Sequence, residues 1–295
     1  MRKIFGICAV FSFIAGICIC TGLLAVDKWV IWEVPVGYKS GVSKPAAASA
    51  GVFKFDCKGN SSQYSFIAPA KVVPLFRNSV VSTDIDFITS DDISEFIELK
   101  YTGRSEREMP DKRSDILFDK EAFVFEAVFS DAEIGIWLHS DFVDLQIAEG
   151  YARKLAGPLG KLPQTMRKGL KHVVVHNGDQ TAFAEHLGNF FVVYSKNMDT
   201  RISNNDLEET VFHESVHATM DYGCKEAESG WNQARVKDNS FITNYAADKP
   251  EKEDLAESAL FAYTMIKYPG RLDPNIESWI RTNIPNRLSF FKTIF

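Results

Sequence analysis

The sequence predicts an α+β fold. Short apolar runs that alternate with polar residues, a pattern typical of strands, are concentrated before Ser140. Beyond Leu207 the apolar residues recur instead at helical spacings of three and four positions. Hydrophobic residues make up 45% and charged residues 24% of the 295 positions, which is ordinary for a chain that buries a core. An order in which strands predominate at the beginning and helices at the end is typical of α+β domains.

The first 26 residues predict a signal peptide or a membrane anchor. Arg2 and Lys3 precede an uncharged stretch from Ile4 to Val26, which is long enough to span a bilayer. Whether this segment is cleaved or retained, the rest of the chain is expected outside the cytoplasm, as a periplasmic, secreted or membrane-anchored protein. Residues 27–51 are rich in small residues towards their end, which indicates a linker.

Residues 52–105 predict a small β-rich accessory segment, because short β-like runs recur along it. Two of these runs are Ser79–Val81 and Asp84–Phe87. A charged stretch from Arg104 to Arg113 is typical of a surface connection, and we expect the main domain to occupy residues 106–295.

The main domain begins with a predicted hairpin and continues with helices and strands in mixed order. The hairpin joins Phe123–Phe129 to Ile134–Leu138 around Asp131 and Ala132. Helical patterns follow around 141–155 and 163–171, and strands at 172–176 and 189–194. The last of these strands is a candidate for the edge of the sheet, where an extended peptide can add itself as a further strand.

A short motif that starts at His213 indicates a metal site. His213 and His217 are four residues apart, so on a helix they share one face and can bind one zinc ion. Glu214 lies beside them and can take a proton from a water molecule, as the general base in zinc hydrolases does. The flanks favour a helix, with Asn205 and Glu208 as a capping box and Gly223 as its C-terminal stop.

A second acidic cluster can complete this site. Pro250 suits the start of a helix that opens at Glu251. Glu253 and Glu257 share a face of that helix, so one can bind the metal while the other orients a histidine ligand. An acidic first helical turn is also favoured by the helix dipole alone, and this alternative stays open.

The two motifs resemble those of the gluzincin metallopeptidases, most of all the catalytic domains similar to anthrax toxin lethal factor. In that family the histidine motif continues with Ala and then Asp-Tyr, as it does here at Ala218, Asp221 and Tyr222. The family's second motif, ExxAE, matches Glu253–Glu257, and a tyrosine precedes it as Tyr245 does here. The resemblance covers residues 207–257.

The resemblance implies a zincin-like domain, with a mixed sheet above the helix that carries the histidine motif. It implies that Glu253 is the third zinc ligand, that Tyr245 stabilises the oxyanion and that Glu257 lies in the outer shell of the site. We therefore expect an exported zinc-dependent peptidase that acts on peptides or proteins. The alternatives are a binding protein on a peptidase scaffold, without turnover, and an effector that acts inside another cell.

Composition adds three further expectations. The net charge of -6, without a basic stripe, gives no support for nucleic-acid binding. Of the five cysteines only Cys57 and Cys224 lie outside the N-terminal apolar run, so they either form a disulfide or remain two thiols. The oligomeric state cannot be deduced from these features.

The remaining histidines are expected to be structural or solvent-facing. His172 and His176 flank a predicted strand, where four residues span about 13 Å, so they cannot bind the same metal ion. His139 and His186 stand alone in the sequence and are expected to be ordinary polar residues.

Overall fold

A mixed six-stranded sheet organises the part of the chain that the computed structural model describes, residues 72–224 and 229–295. In chain order the strands are β1 (Phe96–Glu108), β2 (Phe118–Phe129), β3 (Glu133–Leu138), β4 (His172–His176), β5 (Phe183–Glu185) and β6 (Phe190–Tyr194). They lie side by side in the order β1-β2-β3-β4-β6-β5. The β1-β2-β3 part is antiparallel, β3, β4 and β6 are parallel, and β5 is antiparallel to β6. The α+β class and the predicted hairpin are confirmed.

Helices cover one face of this sheet. They are α1 (Leu145–Lys161), α2 (Gln164–Gly169), α3 (Ser195–Ser203), α4 (Leu207–Cys224), α5 (Gly230–Lys237), α6 (Asn244–Asp248), α7 (Asp254–Lys267), α8 (Pro274–Asn283) and α9 (Pro285–Phe291). The α1 and α4 helices pack against the sheet, and α7 packs against α4. The predicted helices around 141–155 and 163–171 correspond to α1 and α2. The α4 helix is therefore enclosed between the sheet and α7, which buries most of its surface.

Both faces of the central strands are buried. Val173 and Val175 on β4 point into the main core with the helices, whereas Val174 points into a second, smaller cluster on the other face. Strands in parallel arrays are usually covered on both sides, and this explains why β4 and β6 are almost continuously apolar.

The boundary predicted at residue 105 is wrong, because it falls inside β1. This strand pairs with β2 from Phe96 opposite Phe129 to Glu108 opposite Phe118. The charged stretch that predicted a surface connection is therefore partly strand. Charges suit this position because β1 forms one edge of the sheet, and charged edge strands resist pairing with other chains.

The predicted strands at 79–81 and 84–87 are also incorrect. Val80–Ser82 forms a 3₁₀ helix, and the residues around Phe87 have no regular structure. Val80 and Phe87 are fully buried, but side-chain carboxylates satisfy their backbone N–H groups in place of a neighbouring strand. Short apolar runs in the sequence cannot distinguish these two ways of burying a segment.

The edge strand was assigned incorrectly as well. β6 is paired on both sides, with β4 and with β5, and the three-residue strand β5 occupies the edge. A strand of three residues carries almost no periodic signal, so the sequence did not reveal it.

The ends of two helices differ from the predictions. Asp206, not Asn205, directly precedes α4, and the carboxylate of Glu208 accepts a hydrogen bond from Lys161 rather than closing a capping box. Gly223 lies within α4 and does not end it. The second motif helix, α7, begins at Asp254 rather than Glu251, because residues 250–253 form a turn.

The N-terminal predictions fall outside the described residues. These are the signal or anchor at 1–26, the linker at 27–51 and Cys57, and so the disulfide between Cys57 and Cys224 stays a prediction. Within residues 72–224 and 229–295, no helix combines the length and the apolar character that crossing a membrane requires.

A buried carboxylate in α4 makes the stability of this fold depend on pH. Glu209 is 2% exposed, and its Oε1 accepts hydrogen bonds from the N–H groups of Phe87 and Ile88 at 3.1 Å. Burial raises the pKa of Glu209 from 4.5 to about 7. Its contribution to stability is thus present below about pH 4.5 and is lost as the pH rises through 7.

We expect Glu209→Gln to stabilise the protein at pH 8, because the amide keeps an acceptor oxygen for both N–H groups and removes a buried charge. The free energy of unfolding should rise by on the order of 2 kcal/mol at pH 8 and hardly change at pH 5. Denaturant unfolding of both proteins at the two pH values measures this. An equal effect at both pH values would contradict the assigned cause.

Candidate metal centre

The α4 helix places the histidine motif at the centre of the site. His213 and His217 lie one turn apart, and their Nε2 atoms approach each other to 3.2 Å. His213 is buried and the side chain of His217 is 16% exposed. The helix holds both rings rigidly, because the residues between and around them are packed between the sheet and α7.

The turn before α7 brings Glu253 to the two histidines. Its Oε2 lies 3.4 Å from Nε2 of His213 and 3.4 Å from Nε2 of His217. Among the described residues, these three form the group whose potential ligand atoms all lie within 4.8 Å of one another. His213, His217 and Glu253 can therefore hold a metal ion.

The spacing of the three atoms is compatible with a tetrahedral metal ion such as zinc. A tetrahedral zinc ion with bonds of about 2.0–2.1 Å places its ligand atoms about 3.3–3.4 Å apart. The three separations here are 3.2, 3.4 and 3.4 Å. Two imidazole nitrogens and one carboxylate oxygen are also a common donor set for zinc with an open fourth position. The residues present thus fit zinc in both geometry and chemistry.

The electrostatics of the group favour a positive charge at its centre. Burial alone would lower the pKa of His217, but hydrogen bonds to Asp221 and Glu253 raise it to about 9. Burial alone would raise the pKa of Glu253, but the two histidines hold it well below its ordinary value. A proton supplies this positive charge in the absence of an ion, and a divalent cation can replace it.

Glu257 lies where the second motif predicts it, beside His213. Its Oε1 is 3.6 Å from Nδ1 of His213, and the residue is fully buried. The same carboxylate accepts hydrogen bonds from the Ser79 hydroxyl, the Val80 N–H and the Thr243 hydroxyl, at 2.5, 2.9 and 2.8 Å. Glu257 therefore joins the backbone before β1 and the loop before α6 to the outer side of the His213 ring.

Asp221 is an outer partner that the sequence argument missed. Its Oδ2 lies 3.1 Å from Nδ1 of His217. The sequence places Asp221 only in the match to the family motif and indicates no role for it at the metal. The four-residue spacing between His217 and Asp221 is the signal that could have identified it, because such pairs meet on one helical face. A carboxylate on the second ring nitrogen orients a ligating histidine and raises its basicity.

Loss of the Asp221 carboxylate should weaken metal binding. We expect Asp221→Ala to lower zinc affinity by about 10–100-fold, the usual cost of losing an outer partner of a histidine ligand. Asp221→Asn should lie between this variant and the wild type, since its amide oxygen can still accept the Nδ1 proton. Competition with a chromophoric chelator measures the affinities. Unchanged affinity in both variants would exclude this role.

Tyr245 is positioned at the metal centre by the short helix α6. Its hydroxyl donates a hydrogen bond to Oε1 of Glu253 at 3.0 Å, and Oε2 of Glu253 faces the histidines. Burial and the charge of Glu253 raise the pKa of Tyr245 above its ordinary value, so the hydroxyl keeps its proton. The ammonium group of Lys249 lies 4.3 Å from the centre of the ring and helps to hold it in place.

Glu214 lies on the same helix and is half-buried. Burial raises the pKa of Glu214, the two histidines lower it, and Glu253 raises it again, with a net increase over its ordinary value. A carboxylate with this raised proton affinity is better suited to accept a proton than an ordinary surface glutamate.

A buried network of ion pairs fixes the backbone next to Glu253. The next residue, Asp254, is fully buried and accepts hydrogen bonds from the Arg287 guanidinium at 2.8 and 3.2 Å. Arg287 also donates to Asp238 at 3.0 Å, and Arg235 lies 3.3 Å from Asp254. These pairs fix the first turn of α7 against α5 and α9. The sequence did not indicate them, because Arg287 is distant along the chain.

Comparisons with protein-family models, with curated proteins and with solved structures found no match for this chain.

Proposed function

We propose that this chain is a zinc-dependent peptidase of the gluzincin type. The observation that supports this most strongly is that the potential ligand atoms of His213, His217 and Glu253 lie 3.2, 3.4 and 3.4 Å apart, which suits one tetrahedral zinc ion. Glu214 interacts electrostatically with both histidines, and Tyr245 donates a hydrogen bond to Glu253. When bound, zinc supplies Lewis acidity to a water molecule and to the substrate carbonyl. The resemblance to the lethal factor-like family points to the same function.

Two side chains of this chain then carry the proton and charge movements. Glu214 accepts the proton of the attacking water and returns it to the amine that leaves. Tyr245 keeps its proton, and its hydroxyl can turn from Glu253 to the substrate oxygen on which negative charge develops. Glu253, Asp221 and Glu257 hold the two imidazoles in place during these steps.

The substrate is a peptide or protein that binds in extended form. β5 is the edge of the sheet nearest to α4, and these two elements are in contact. An extended peptide can pair with this edge, so the pairing that the sequence suggested for 189–194 moves to Phe183–Glu185. Lys112 stabilises the segment directly before β5. Its ammonium donates hydrogen bonds to the carbonyl oxygens of Thr181 and Ala182 at 3.0 and 3.2 Å.

Removal of the Tyr245 hydroxyl should slow turnover without releasing zinc. We expect Tyr245→Phe to lower kcat by about 10²–10³-fold, as loss of an oxyanion donor does, with little change in KM. Tyr222→Phe is a matched control, because Tyr222 is 67% exposed and lies on the same helix as the histidines. Kinetics on one cleaved peptide separate kcat from KM. A rise in KM at constant kcat would assign Tyr245 to substrate binding.

Digestion of an unbiased peptide library tests the proposed function. The full chain loaded with zinc is expected to cleave internal peptide bonds, and a chelator should stop cleavage until zinc is restored. Stoichiometric zinc without any cleavage would overturn the proposal and favour a binding protein on a peptidase scaffold. Export from the cytoplasm stays a separate prediction, to be tested by locating the protein in cell fractions.

A further inference from the structure

A cavity lies at the carboxyl ends of the parallel strands, and its lining contains none of the three potential metal ligands. β3 ends just before His139, β4 ends at His176 and β6 ends at Tyr194, so these ends meet at one edge of the sheet. The segment between β1 and β2 crosses this edge and encloses a cavity of about 410 Å³. Cavities of this size at the carboxyl ends of parallel strands are frequent ligand sites.

Carboxylates dominate the polar lining of this cavity. Asp111, Asp119 and Asp141 line it, against the single guanidinium of Arg113. Arg113 is already engaged, because it pairs with Asp111 and donates to the carbonyl oxygen of Asn177 at 2.7 Å. Burial alone would raise the pKa of Asp119, but backbone N–H groups of Glu121 and Ser140 lower it overall, so this carboxylate is charged. The lining thus carries excess negative charge.

The His176 ring has a nitrogen atom without a hydrogen-bond donor. This observation is independent of the carboxylates. His176 is 1% exposed, and its Nε2 lies 3.1 Å from the carbonyl oxygen of Pro110, which can only accept a hydrogen bond. The proton of the neutral ring is therefore on Nε2. Burial lowers the pKa of His176, which keeps the ring neutral. Its Nδ1 is then a bare acceptor without a hydrogen-bond partner, 3.6 Å from Oδ2 of Asp111.

The second histidine of the cavity lies between two of its carboxylates. Nδ1 of His139 lies 3.0 Å from Oδ1 of Asp141 and 3.2 Å from the backbone nitrogen of the same residue, and its Nε2 faces Asp119 at 3.7 Å. Nδ1 of His176 differs, because it is a buried acceptor without a partner, and such an atom requires a hydrogen-bond donor.

A compact metal ion fits the polar groups of this cavity less well than a larger cation with N–H groups. Among the described residues, only His213, His217 and Glu253 bring three ligand atoms within 4.8 Å of one another. The polar groups of the cavity do not form such a group, whereas the several N–H groups of a larger cation can donate to acceptors that lie further apart. Two exposed apolar side chains also line the cavity, Ile116 at 73% and Phe118 at 52% exposure.

We propose that this cavity binds a guanidinium or alkylammonium group carried on an apolar stem, from either a small molecule or a basic peptide side chain. The N–H groups donate to the carboxylates of Asp119 and Asp141 and to Nδ1 of His176. The stem packs against Ile116 and Phe118. The lining of this cavity shares no residue with the metal centre, so the proposal does not depend on the proposed peptidase function.

Calorimetric titration of the full chain tests this with matched probes. Butylguanidine represents the free small molecule, and acetyl-Gly-Arg-Gly-amide represents the peptide side chain. Butylurea and the corresponding citrulline peptide are the neutral controls. We expect at least one cationic probe to bind with one-to-one stoichiometry, and its neutral control to bind about tenfold or more weakly, because the charge-assisted hydrogen bonds are lost. The probe that binds identifies the source of the cation.

Two variants and one spectroscopic signal connect binding to this cavity. Asp141→Asn should weaken the cationic probe by about tenfold, whereas Asp86→Asn, an exposed aspartate outside the lining, should leave it unchanged. In nitrogen-15 spectra, the Nδ1 resonance of His176 should move on addition of the probe, because its lone pair then accepts a hydrogen bond. Equal binding of charged and neutral probes, no binding of either cation, or an unmoved His176 resonance at saturation would overturn the proposal.

Discussion

Replacement of Glu214 by glutamine is expected to abolish peptide hydrolysis while zinc stays bound at one ion per chain. Glu214 is not among the three residues whose ligand atoms converge, so its removal leaves the donor set of His213, His217 and Glu253 intact. The amide cannot accept the proton of the attacking water. We therefore expect kcat to fall by about 10³-fold or more, at the upper end of what general bases contribute.

Two measurements check this prediction together. Atomic emission gives the zinc content, and initial rates are measured on one peptide that the library digestion has identified as a substrate. Glu121→Gln is the control, because Glu121 is an exposed glutamate on β2, away from the metal centre. Undiminished cleavage by the Glu214 variant with full zinc content would remove Glu214 from the mechanism. Loss of zinc from the variant would instead show that Glu214 contributes to metal binding.

Replacement of Glu253 is expected to weaken zinc binding more than any other single change in the second motif. Oε2 of Glu253 lies 3.4 Å from both histidine nitrogens, so Glu253→Ala removes one of three ligand atoms. Glu257 lies behind His213 and is not one of the three. Loss of an outer partner costs about 10–100-fold in metal affinity, and we expect Glu253→Ala to exceed that range.

The comparison with Glu257 needs two variants. Glu257→Ala also removes the acceptor for the Ser79 and Thr243 hydroxyls and the Val80 N–H, so it should lower stability. Glu257→Gln keeps an acceptor oxygen and separates the effect on zinc from the effect on folding. Chelator competition and thermal unfolding of all three variants provide the measurements. A weaker zinc affinity in Glu257→Gln than in Glu253→Ala would exchange the two roles.

Periodic patterns in the sequence determined the elements in which side-chain burial repeats over several residues. The hairpin of β2 and β3, the strands β4 and β6 and the helices α1 and α4 all follow from such patterns. The sequence also predicts that His213 and His217 converge, because side chains four residues apart on a helix lie on the same face. Local geometry is sufficient for these features, and so they could be predicted.

Tertiary packing decided the features that join distant parts of the chain. Glu253 reaches the histidines because α7 packs on α4 and Arg287 holds Asp254. The segment before β1 is irregular because the carboxylates of Glu209 and Glu257 satisfy its N–H groups. Such contacts have no period along the sequence, so no local pattern could indicate them.

His176 illustrates the difference between what the sequence determines and what the tertiary structure determines. The sequence predicted that His176 and His172 do not share a metal ion, because their separation along a strand is determined by the backbone alone. Only the fold brings His176 to one sheet edge with His139 and Asp111, since parallel strands separated along the chain align their carboxyl ends. The sequence by itself therefore determined the chemical groups and their local spacing. The tertiary structure decided which of these groups meet, because burial and hydrogen bonding are satisfied over the whole domain at once.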